Sequence, residues 1–267
     1  MRLGFIGCGT IAAAIVTGLH SAGYDEPIIV SPRNAEIAAA LHRRFDNVTV
    51  APSNQSVLDH CDLAVLAVRP QVAADILAAL RFRPDHQVIS LIAATSLDYL
   101  RAATAPAAHV VRAVPLPMVA RRQGPTAIYP PNDKVKALFD RLGSAIEIDD
   151  ERAFDSFTAA TAIMASYFRF CDAACAWVAD QGVATAQADR FIRQMAFGLA
   201  DTAMTSPDRT LRELADEHQT RGGLNEQVRA YLDDRGLFTA LTQALDGVQA
   251  RLAAAHAANR NSQDDGA

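Results

Sequence analysis

The chain has 267 residues, half of them hydrophobic, and a formal net charge of −5, which allows two domains with sizeable cores and excludes a basic nucleic-acid-binding surface. No apolar run is long enough to span a bilayer, and no charged leader with a hydrophobic signal core opens the sequence, so a cytoplasmic protein without membrane contact is expected. The four cysteines have no Cys-x-x-Cys spacing and no ligand partners nearby, so reduced thiols and no metal are expected.

The first predicted elements are a strand, a tight turn and a helix at the N-terminus. An apolar run stops at Gly7, and a helical pattern begins three residues later and stops near Gly23. The Gly-x-Gly-x-x-Ala spacing is typical of a dinucleotide site. Gly7 permits the turn, Gly9 lets backbone N–H groups approach a pyrophosphate, and Ala12 lets the helix pack closely on the sheet. The positive helix end favours a phosphate there, whereas a connector without a ligand would leave this spacing to chance.

Strand and helix patterns then alternate up to residue 149. The run Leu63–Val68 is apolar throughout, as in a central parallel strand that helices cover on both faces. The alternation predicts an α/β fold whose N-terminal domain, residues 1–149, is a Rossmann-type doubly wound sheet. The other strands are predicted at Pro27–Ser31, Val48–Val50, Val88–Ala93, His109–Ala113, Thr126–Tyr129 and Ala145–Ile148, with helices beginning at Asn34, Ser53, Pro70, Ser96 and Asn132.

The second domain, residues 150–258, is predicted to be all-α. Asp150–Gln181 contains neither Gly nor Pro, which predicts one helix of about 30 residues. Its large apolar side chains occupy most of its circumference, which indicates burial against a second subunit in a homodimer or larger homo-oligomer. Residues 259–267 are predicted to be a disordered tail. Further helices are predicted at about Thr185–Met204, Pro207–Glu217, Leu224–Arg235 and Leu237–Ala255.

The end of the second strand indicates which dinucleotide binds. In NAD sites, an Asp or Glu about 20 residues after the glycines accepts hydrogen bonds from the adenosine ribose. Here that position is Ser31, followed by Arg33 and by Asn34 as the cap of the next helix, whereas Asp25 precedes the strand. These donors suit a 2′-phosphate, which a carboxylate would repel, so NADP(H) is predicted in preference to NAD(H). The alternative for Arg33 is a solvated surface arginine.

The sequence resembles the pyrroline-5-carboxylate reductase family at Phe5–Ala12, Ser31–Asn34, Ala67–Gln71, Val111–Pro115 and Gly222–Gly223. The resemblance covers nearly the whole chain, although the family usually has Lys at the position of Arg69. It implies a Rossmann-type domain, a helical domain that interleaves with a second subunit, and NAD(P)H-dependent reduction of a cyclic imine carboxylate to proline. It also places Ala67, Val68, Arg69 and Pro70 over the cofactor.

The substrate motifs depart from the family pattern. Family Met-Pro-Asn-Thr-Pro is here Val114–Met118, so Leu116 replaces an amide; Ser-Gly-Ser-Gly-Pro-Ala-Tyr is Thr161–Tyr167, of which only the tyrosine is kept; and Ser-Pro-Gly-Gly-Thr-Thr is Thr220–Asn225. No catalytic threonine is therefore carried over. The more apolar substitutions predict weak reduction of pyrroline-5-carboxylate and faster reduction of another cyclic imine.

The Gly222–Gly223 turn ahead of a helix predicts N–H donors for a substrate carboxylate, unless it is an ordinary interhelical turn. Asn225 is a candidate substrate ligand or a helix cap. Tyr167 is a candidate proton donor, with a core or interface aromatic favoured, and His218 is a candidate acid or a surface histidine. The predicted substrate residues are thus Tyr167, Gly222, Gly223 and Asn225.

Reduction of an imine that is already protonated needs positioning more than a strong base, so no catalytic residue is assigned. A hydroxyacid dehydrogenase of similar architecture is disfavoured because Lys134 and Lys136, the only lysines, precede the long helix. A non-catalytic NADP(H)-binding sensor stays open. The predicted cofactor-binding residues are Gly7, Cys8, Gly9, Thr10, Ile11, Ala12, Ser31, Arg33, Asn34, Ala67, Val68, Arg69 and Pro70.

Overall fold

A computed structural model describes residues 1–264, with side chains described up to residue 259. The chain forms two compact units, the first comprising Met1–Ala159 and the chain from Gln249 onward, the second comprising Ala160–Val248. The first unit is α/β and the second is helical, so the predicted fold class is confirmed. The division falls after residue 159 and not after residue 149, because the first helix of the predicted second domain belongs to the first unit.

The first unit is built on an eight-stranded sheet with the order β3-β2-β1-β4-β5-β6-β7-β8. Neighbouring strands are parallel except β6 and β7, which are antiparallel. The order reverses between β1 and β4, where doubly wound sheets bind ligands beside the carboxyl ends of their strands. The strands are β1 Leu3–Ile6, β2 Ile28–Val30, β3 Val48–Val50, β4 Leu63–Leu66, β5 Gln87–Ser90, β6 His109–Pro115, β7 Pro125–Tyr129 and β8 Ser144–Glu147.

Helices cover both faces of this sheet. All four residues of β4 are buried, as its continuous apolar run predicts. One apolar cluster contains Phe5 and Ile15, and a second contains Leu58 and Leu66. Each fully buried aliphatic or aromatic side chain contributes about 1.5–3 kcal/mol, so these clusters are the main source of stability. The helices are α1 Thr10–Ser21, α2 Ala35–Arg44, α3 Asn54–His60, α4 Pro70–Ala78, α5 Leu97–Ala103, α6 Asp133–Asp140 and α7 Glu151–Ala160.

A short 3₁₀ helix, Pro117–Arg121, lies between β6 and β7 and was not predicted from the sequence. It packs against α1 so closely that a Cβ atom on Gly18 would lie 2.2 Å from the Val119 carbonyl oxygen. Gly18 is therefore required for this contact. The sequence around Gly18 does not predict this contact, because Val119 is about a hundred residues away in the sequence.

The prediction of a single long helix from Asp150 to Gln181 is wrong. The structure has two helices, α7 and α8 (Ile163–Asp180), separated by a turn at residues 161–162. The absence of Gly and Pro does not guarantee continuity, because hydroxyl side chains also compete for backbone groups. Ser156 and Thr158 donate to the carbonyl oxygens of Arg152 and Phe154 as α7 approaches its end. The break also coincides with the division between the units.

The second unit consists of helices alone among the described residues. They are α8, α9 (Thr185–Thr205), α10 (Leu211–Glu217), α11 (Leu224–Asp234) and the first part of α12 (Leu237–Asp264). Within residues 1–264 no helix combines the length and apolar character needed to cross a bilayer.

The prediction of a disordered tail at residues 259–267 is corrected by the last helix, α12. It continues through residue 259 to Asp264, and the Asn259 side-chain amide donates to the Ala94 carbonyl oxygen at 3.2 Å. The segment 259–264 is therefore helical, and not disordered as predicted. The rest of the predicted tail, residues 265–267, lies outside the described residues.

Candidate functional site

In the turn between β1 and α1, the backbone conformation and a close neighbour require a glycine at position 7. No contact within the described residues requires one at position 9. Gly7 has a φ of +98°, and a Cβ atom there would lie 2.4 Å from the Ala67 carbonyl oxygen. Gly9 is the N-cap of α1 with a φ of −98°, and a Cβ atom built on it meets no atom within 4 Å. The open space beside Gly9 is what a bound phosphate needs, since the first N–H groups of α1 have no partner within the helix.

Ser31 does not have the predicted role. It is fully buried, and its Oγ accepts a hydrogen bond from the Gly7 backbone N–H at 2.9 Å. This bond joins the end of β2 to the glycine turn. Ser31 therefore shapes the turn and is not exposed to contact a ribose phosphate.

A cavity of about 410 Å³ lies at the carboxyl ends of β1, β2 and β4. It brings together parts of all three predicted cofactor segments, while Thr10, Ile11, Ala12, Ser31 and Pro70 do not line it. Ala35 and Val72 line it without having been predicted. Both lie at the start of a helix that follows a strand end, which is the signal that could have identified them. The lining residues are Gly7, Cys8, Gly9, Arg33, Asn34, Ala35, Ala67, Val68, Arg69 and Val72.

The electrostatics of the cavity suit an anion. The N-termini of α1, α2 and α4 all meet it, and each carries a partial positive charge. Arg33 and Arg69 add two guanidinium groups, neither of which has a hydrogen bond or ion pair with another described residue. No lining residue is acidic. The residues present therefore fit a dinucleotide with its phosphates at this edge of the sheet.

Two predicted residues contribute in ways that the sequence did not specify. Cys8 lines the cavity although its side chain is buried, and this burial raises the pKa of its thiol to about 11. The thiol is thus neutral, and no nucleophilic role follows. Asn34 precedes α2, but its side chain makes no capping hydrogen bond, contrary to the prediction. Its exposed amide remains available beside Arg33.

The predicted substrate residues lie in the second unit, and the Gly222–Gly223 turn is not the open donor site that was expected. The Gly222 N–H donates to the Glu226 Oε2 atom at 2.5 Å, and the Gly223 N–H donates to the Thr220 carbonyl oxygen at 2.8 Å. Both glycine N–H groups are therefore used within the chain. The Glu226 carboxylate therefore already occupies the position that was predicted for the carboxylate of the substrate.

Asn225 and Tyr167 also have partners within their own unit. The Asn225 side-chain amide donates to the His218 carbonyl oxygen at 2.6 Å, which fastens the turn to the end of α10. Tyr167 is 48% exposed and packs edge-on against Phe168. Partial burial and the neighbouring Cys171 raise the pKa of its phenol, so the phenol is protonated at neutral pH.

His218, the other candidate acid, lies beside a small apolar cavity. Its Nδ1 atom is 2.7 Å from the Leu214 carbonyl oxygen. The cavity, of about 210 Å³, lies between α9 and α10 and is otherwise lined mainly by aliphatic side chains.

Arg112 forms a buried ionic cluster whose role was missed. Its guanidinium donates to Glu151 at 2.8 Å and to Asp155 at 2.9 Å, and it stacks over the Phe154 ring at 4.5 Å. Asp155 is also 3.4 Å from the Nδ1 atom of His256 in α12. The cluster ties β6 to α7 and α12 and has no lining position in the cavity. Its partners lie about forty residues or more away in sequence, so no local pattern could have found them.

Comparison with known families gives one match to each half of the chain. Residues 2–94 match the model described as NADP oxidoreductase, coenzyme F420-dependent. Residues 151–255 match the model described as pyrroline-5-carboxylate reductase dimerisation. The first match contains the glycine turn and the whole lining of the larger cavity, and the second contains the predicted substrate residues.

Individual proteins show the same similarity over nearly the full length. Pyrroline-5-carboxylate reductase of Pseudomonas aeruginosa is 28% identical over 94% of this chain and 96% of its own length. The Escherichia coli protein of the same name is 27% identical over 91% of this chain and 94% of its own length. The crystal structure of 1-pyrroline-5-carboxylate reductase from Streptococcus pyogenes has 26% identity and a TM-score of 0.82, covering 94% of this chain and 98% of that one.

Proposed function

We propose that the chain is a member of the pyrroline-5-carboxylate reductase family and that it is an NAD(P)H-dependent oxidoreductase that reduces the C=N bond of a cyclic imine. The observation that carries the proposal is the larger cavity at the reversal point of the sheet. Three helix N-termini meet there, Arg33 and Arg69 have no side-chain partner among the described residues, and no residue that lines the cavity is acidic.

Gly7, Gly9, Arg33 and Arg69 are the residues that would hold a reduced nicotinamide dinucleotide, which would supply a hydride to the imine carbon while the C=N electron pair passes to nitrogen. The nitrogen becomes that of an amine, and it can carry its proton from solution before the hydride arrives. The protein is therefore needed chiefly to hold the dinucleotide and to orient the imine. Gly7, Ser31 and the N-terminus of α1 form a rigid turn for the first of these tasks.

The hydroxyacid dehydrogenase alternative finds no support in the position of the lysines. Lys134 and Lys136 both lie in α6, and Lys136 is paired with Asp140 at 2.5 Å. Neither is on α7 or α8, where that class would place a carbonyl-polarising lysine. A cytoplasmic location remains part of the proposal.

We further propose that NADP(H) is preferred over NAD(H) because of Arg33. Its guanidinium lines the cavity just after β2, where an NAD-specific site would have a carboxylate. A charge-assisted contact with a 2′-phosphate contributes roughly 1.5–3 kcal/mol. Arg69 lines the same cavity and is a second cation for the dinucleotide phosphates.

The test measures the affinities of NADPH and NADH and the oxidation of each with a panel of cyclic imines. We expect tighter binding of NADPH, and we expect Arg33→Ala to remove most of the difference between the two dinucleotides. Arg43→Ala is the matched control, because it removes an exposed arginine near the end of α2, the helix that follows Arg33, and Arg43 does not line the cavity. Equal affinity in the unmutated protein would refute the preference. Binding without oxidation by any imine would instead support a non-catalytic sensor.

A further inference from the structure

The loop between β5 and α5, residues 91–96, lies beside the larger cavity. The register of the sheet pairs Leu66 at the end of β4 with Ser90 at the end of β5, and the Leu91 N–H donates to the Leu66 carbonyl oxygen at 2.9 Å. Ala67, the residue that follows β4, lines the cavity. The loop therefore continues the carboxyl edge of the sheet on the side of β4 that is away from β1.

Ala94 gives this loop an unusual backbone conformation. Its φ is +57°, in the left-handed region that residues with a Cβ atom rarely adopt. Conformations of this kind persist where the surrounding structure holds them, and they concentrate at binding and catalytic sites. The preceding residue, Ala93, is exposed, whereas residues 92 and 95–97 are buried. The accessible part of the loop therefore presents only methyl groups and backbone atoms.

The residues that hold the loop belong to α7 and α12 and lie in the same unit as the cavity. The Asn259 side-chain amide of α12 donates to the Ala94 carbonyl oxygen at 3.2 Å. Beyond the other end of the loop, the Glu151 carboxylate of α7 accepts the Leu97 N–H at 2.6 Å and the Arg112 guanidinium at 2.8 Å. The bond from Asn259 is made to the left-handed residue itself, so it acts where the backbone conformation is least favourable.

We propose that Asn259 is a positioning residue for the nicotinamide half of the dinucleotide. The inference rests on the proposed dinucleotide site, in which Arg33 follows β2 and the phosphate space adjoins Gly9 after β1. The two nucleosides of a dinucleotide extend in opposite directions from its pyrophosphate. Because the strand order is β2-β1-β4-β5, an adenosine beside Arg33 directs the nicotinamide half towards the ends of β4 and β5. The β5–α5 loop then borders the nicotinamide, and Asn259 keeps Ala94 in the conformation that receives it.

The first experiment compares the affinities of NADPH and of 2′,5′-ADP, a fragment that has the adenosine and the 2′-phosphate but no nicotinamide. Both are titrated by calorimetry against the unmutated protein, Asn259→Asp and Gln249→Glu. Asn259→Asp keeps the shape of the side chain and removes its N–H donor. Gln249→Glu is the matched control, because it makes the same exchange on α12 at a residue whose partner is the Arg152 carbonyl oxygen and not the loop. One hydrogen bond changes an equilibrium by about two- to tenfold. We therefore expect Asn259→Asp, but not the control, to weaken NADPH at least threefold and to leave 2′,5′-ADP unchanged.

The second experiment restores the loop without restoring the hydrogen bond. Glycine adopts a positive φ without a steric penalty, so adding Ala94→Gly to Asn259→Asp is expected to recover most of the lost NADPH affinity. The kcat for imine reduction at saturating NADPH is expected to fall at least threefold in Asn259→Asp and to recover in the double variant. A general weakening of α12 would not be reversed in this way.

Three results would overturn the inference and leave the reductase assignment intact: equal weakening of both ligands, an unchanged NADPH affinity in Asn259→Asp, or no recovery in the double variant. Binding of NADPH without reduction of any imine would overturn the proposed reduction alone, since the two titrations still decide the role of Asn259. An unmutated protein that binds neither ligand would overturn the proposed cofactor and this inference together.

Discussion

At the scale of single residues, Gly7 is required by the fold, whereas Gly9 is expected to be required by a ligand. Gly7 is fixed by the fold, through its positive φ and the nearby Ala67 carbonyl oxygen, whereas Gly9 has free space on its Cβ side. We expect Gly9→Val to keep the unfolding temperature within a few degrees and to weaken dinucleotide binding by at least tenfold, because the new side chain would take the space that we propose for the pyrophosphate.

Gly7→Ala is the contrasting variant. It places a Cβ atom against backbone at a φ that costs L-residues about 1–2 kcal/mol even without the clash. We expect a clear loss of thermal stability, measured by calorimetry beside dinucleotide titration. A strongly destabilised Gly9→Val protein, or one that binds the dinucleotide normally, would contradict the assignment of that space to a ligand.

The same residues show what sequence could and could not predict. The spacing of Gly7, Gly9 and Ala12 identified the turn, because the positive φ of Gly7 and the start of α1 are local features, whereas the contact of Gly7 with Ala67 is not. The role of Ser31 was wrong, because the direction of its hydroxyl depends on the position of Gly7 across the sheet. The Gly222–Gly223 turn was located correctly, but its occupation by Glu226 depends on a side-chain conformation that a sequence does not specify.

At the scale of elements, the Arg112 cluster holds β6 and α7 together. The guanidinium is nearly fully buried and faces both Glu151 and Asp155. Removing it takes the guanidinium away from both carboxylates, although His256 stays beside Asp155, and breaking a buried pair in this way costs about 3–5 kcal/mol. We therefore expect Arg112→Met to lower the free energy of unfolding in urea by about that amount.

Arg169→Met is the control for this variant. Arg169 pairs with Asp172 on the surface of α8, where such pairs contribute about 0–1 kcal/mol. Similar losses for the two variants would show that the Arg112 cluster contributes no more than an exposed ion pair.

Element boundaries, like residue roles, were predictable where they depend on neighbouring residues and not where they depend on distant ones. Helix starts with a side-chain cap were predicted closely, as at Ser53, Ser96 and Asn132, since each cap is a local hydrogen bond. The break between α7 and α8 was missed because it lies where the chain passes from one unit to the other. The antiparallel pairing of β6 with β7 depends on the chain reversal after β6, which alternation alone does not reveal.

At the scale of the whole molecule, the second unit leaves many of its large apolar side chains uncovered within one chain. None of the 18 residues of α8 is buried, and Phe168 and Trp177 are 69% and 65% exposed. Exposed apolar patches of this kind mark association surfaces in soluble proteins. Together with the match to a dimerisation family over residues 151–255, they support homo-oligomerisation through this unit.

We expect a homodimer or larger oligomer at micromolar concentration, with an unfolding temperature that rises with protein concentration, as association requires. Phe168→Glu puts a charge where a large aromatic must be desolvated, so it should dissociate or unfold the oligomer. Val50→Glu is the matched control, because it changes a partly exposed apolar residue on edge strand β3 of the other unit. Light scattering across a dilution series measures the mass. A stable monomer, or a Phe168→Glu protein with unchanged mass and stability, would show that α8 does not form the interface.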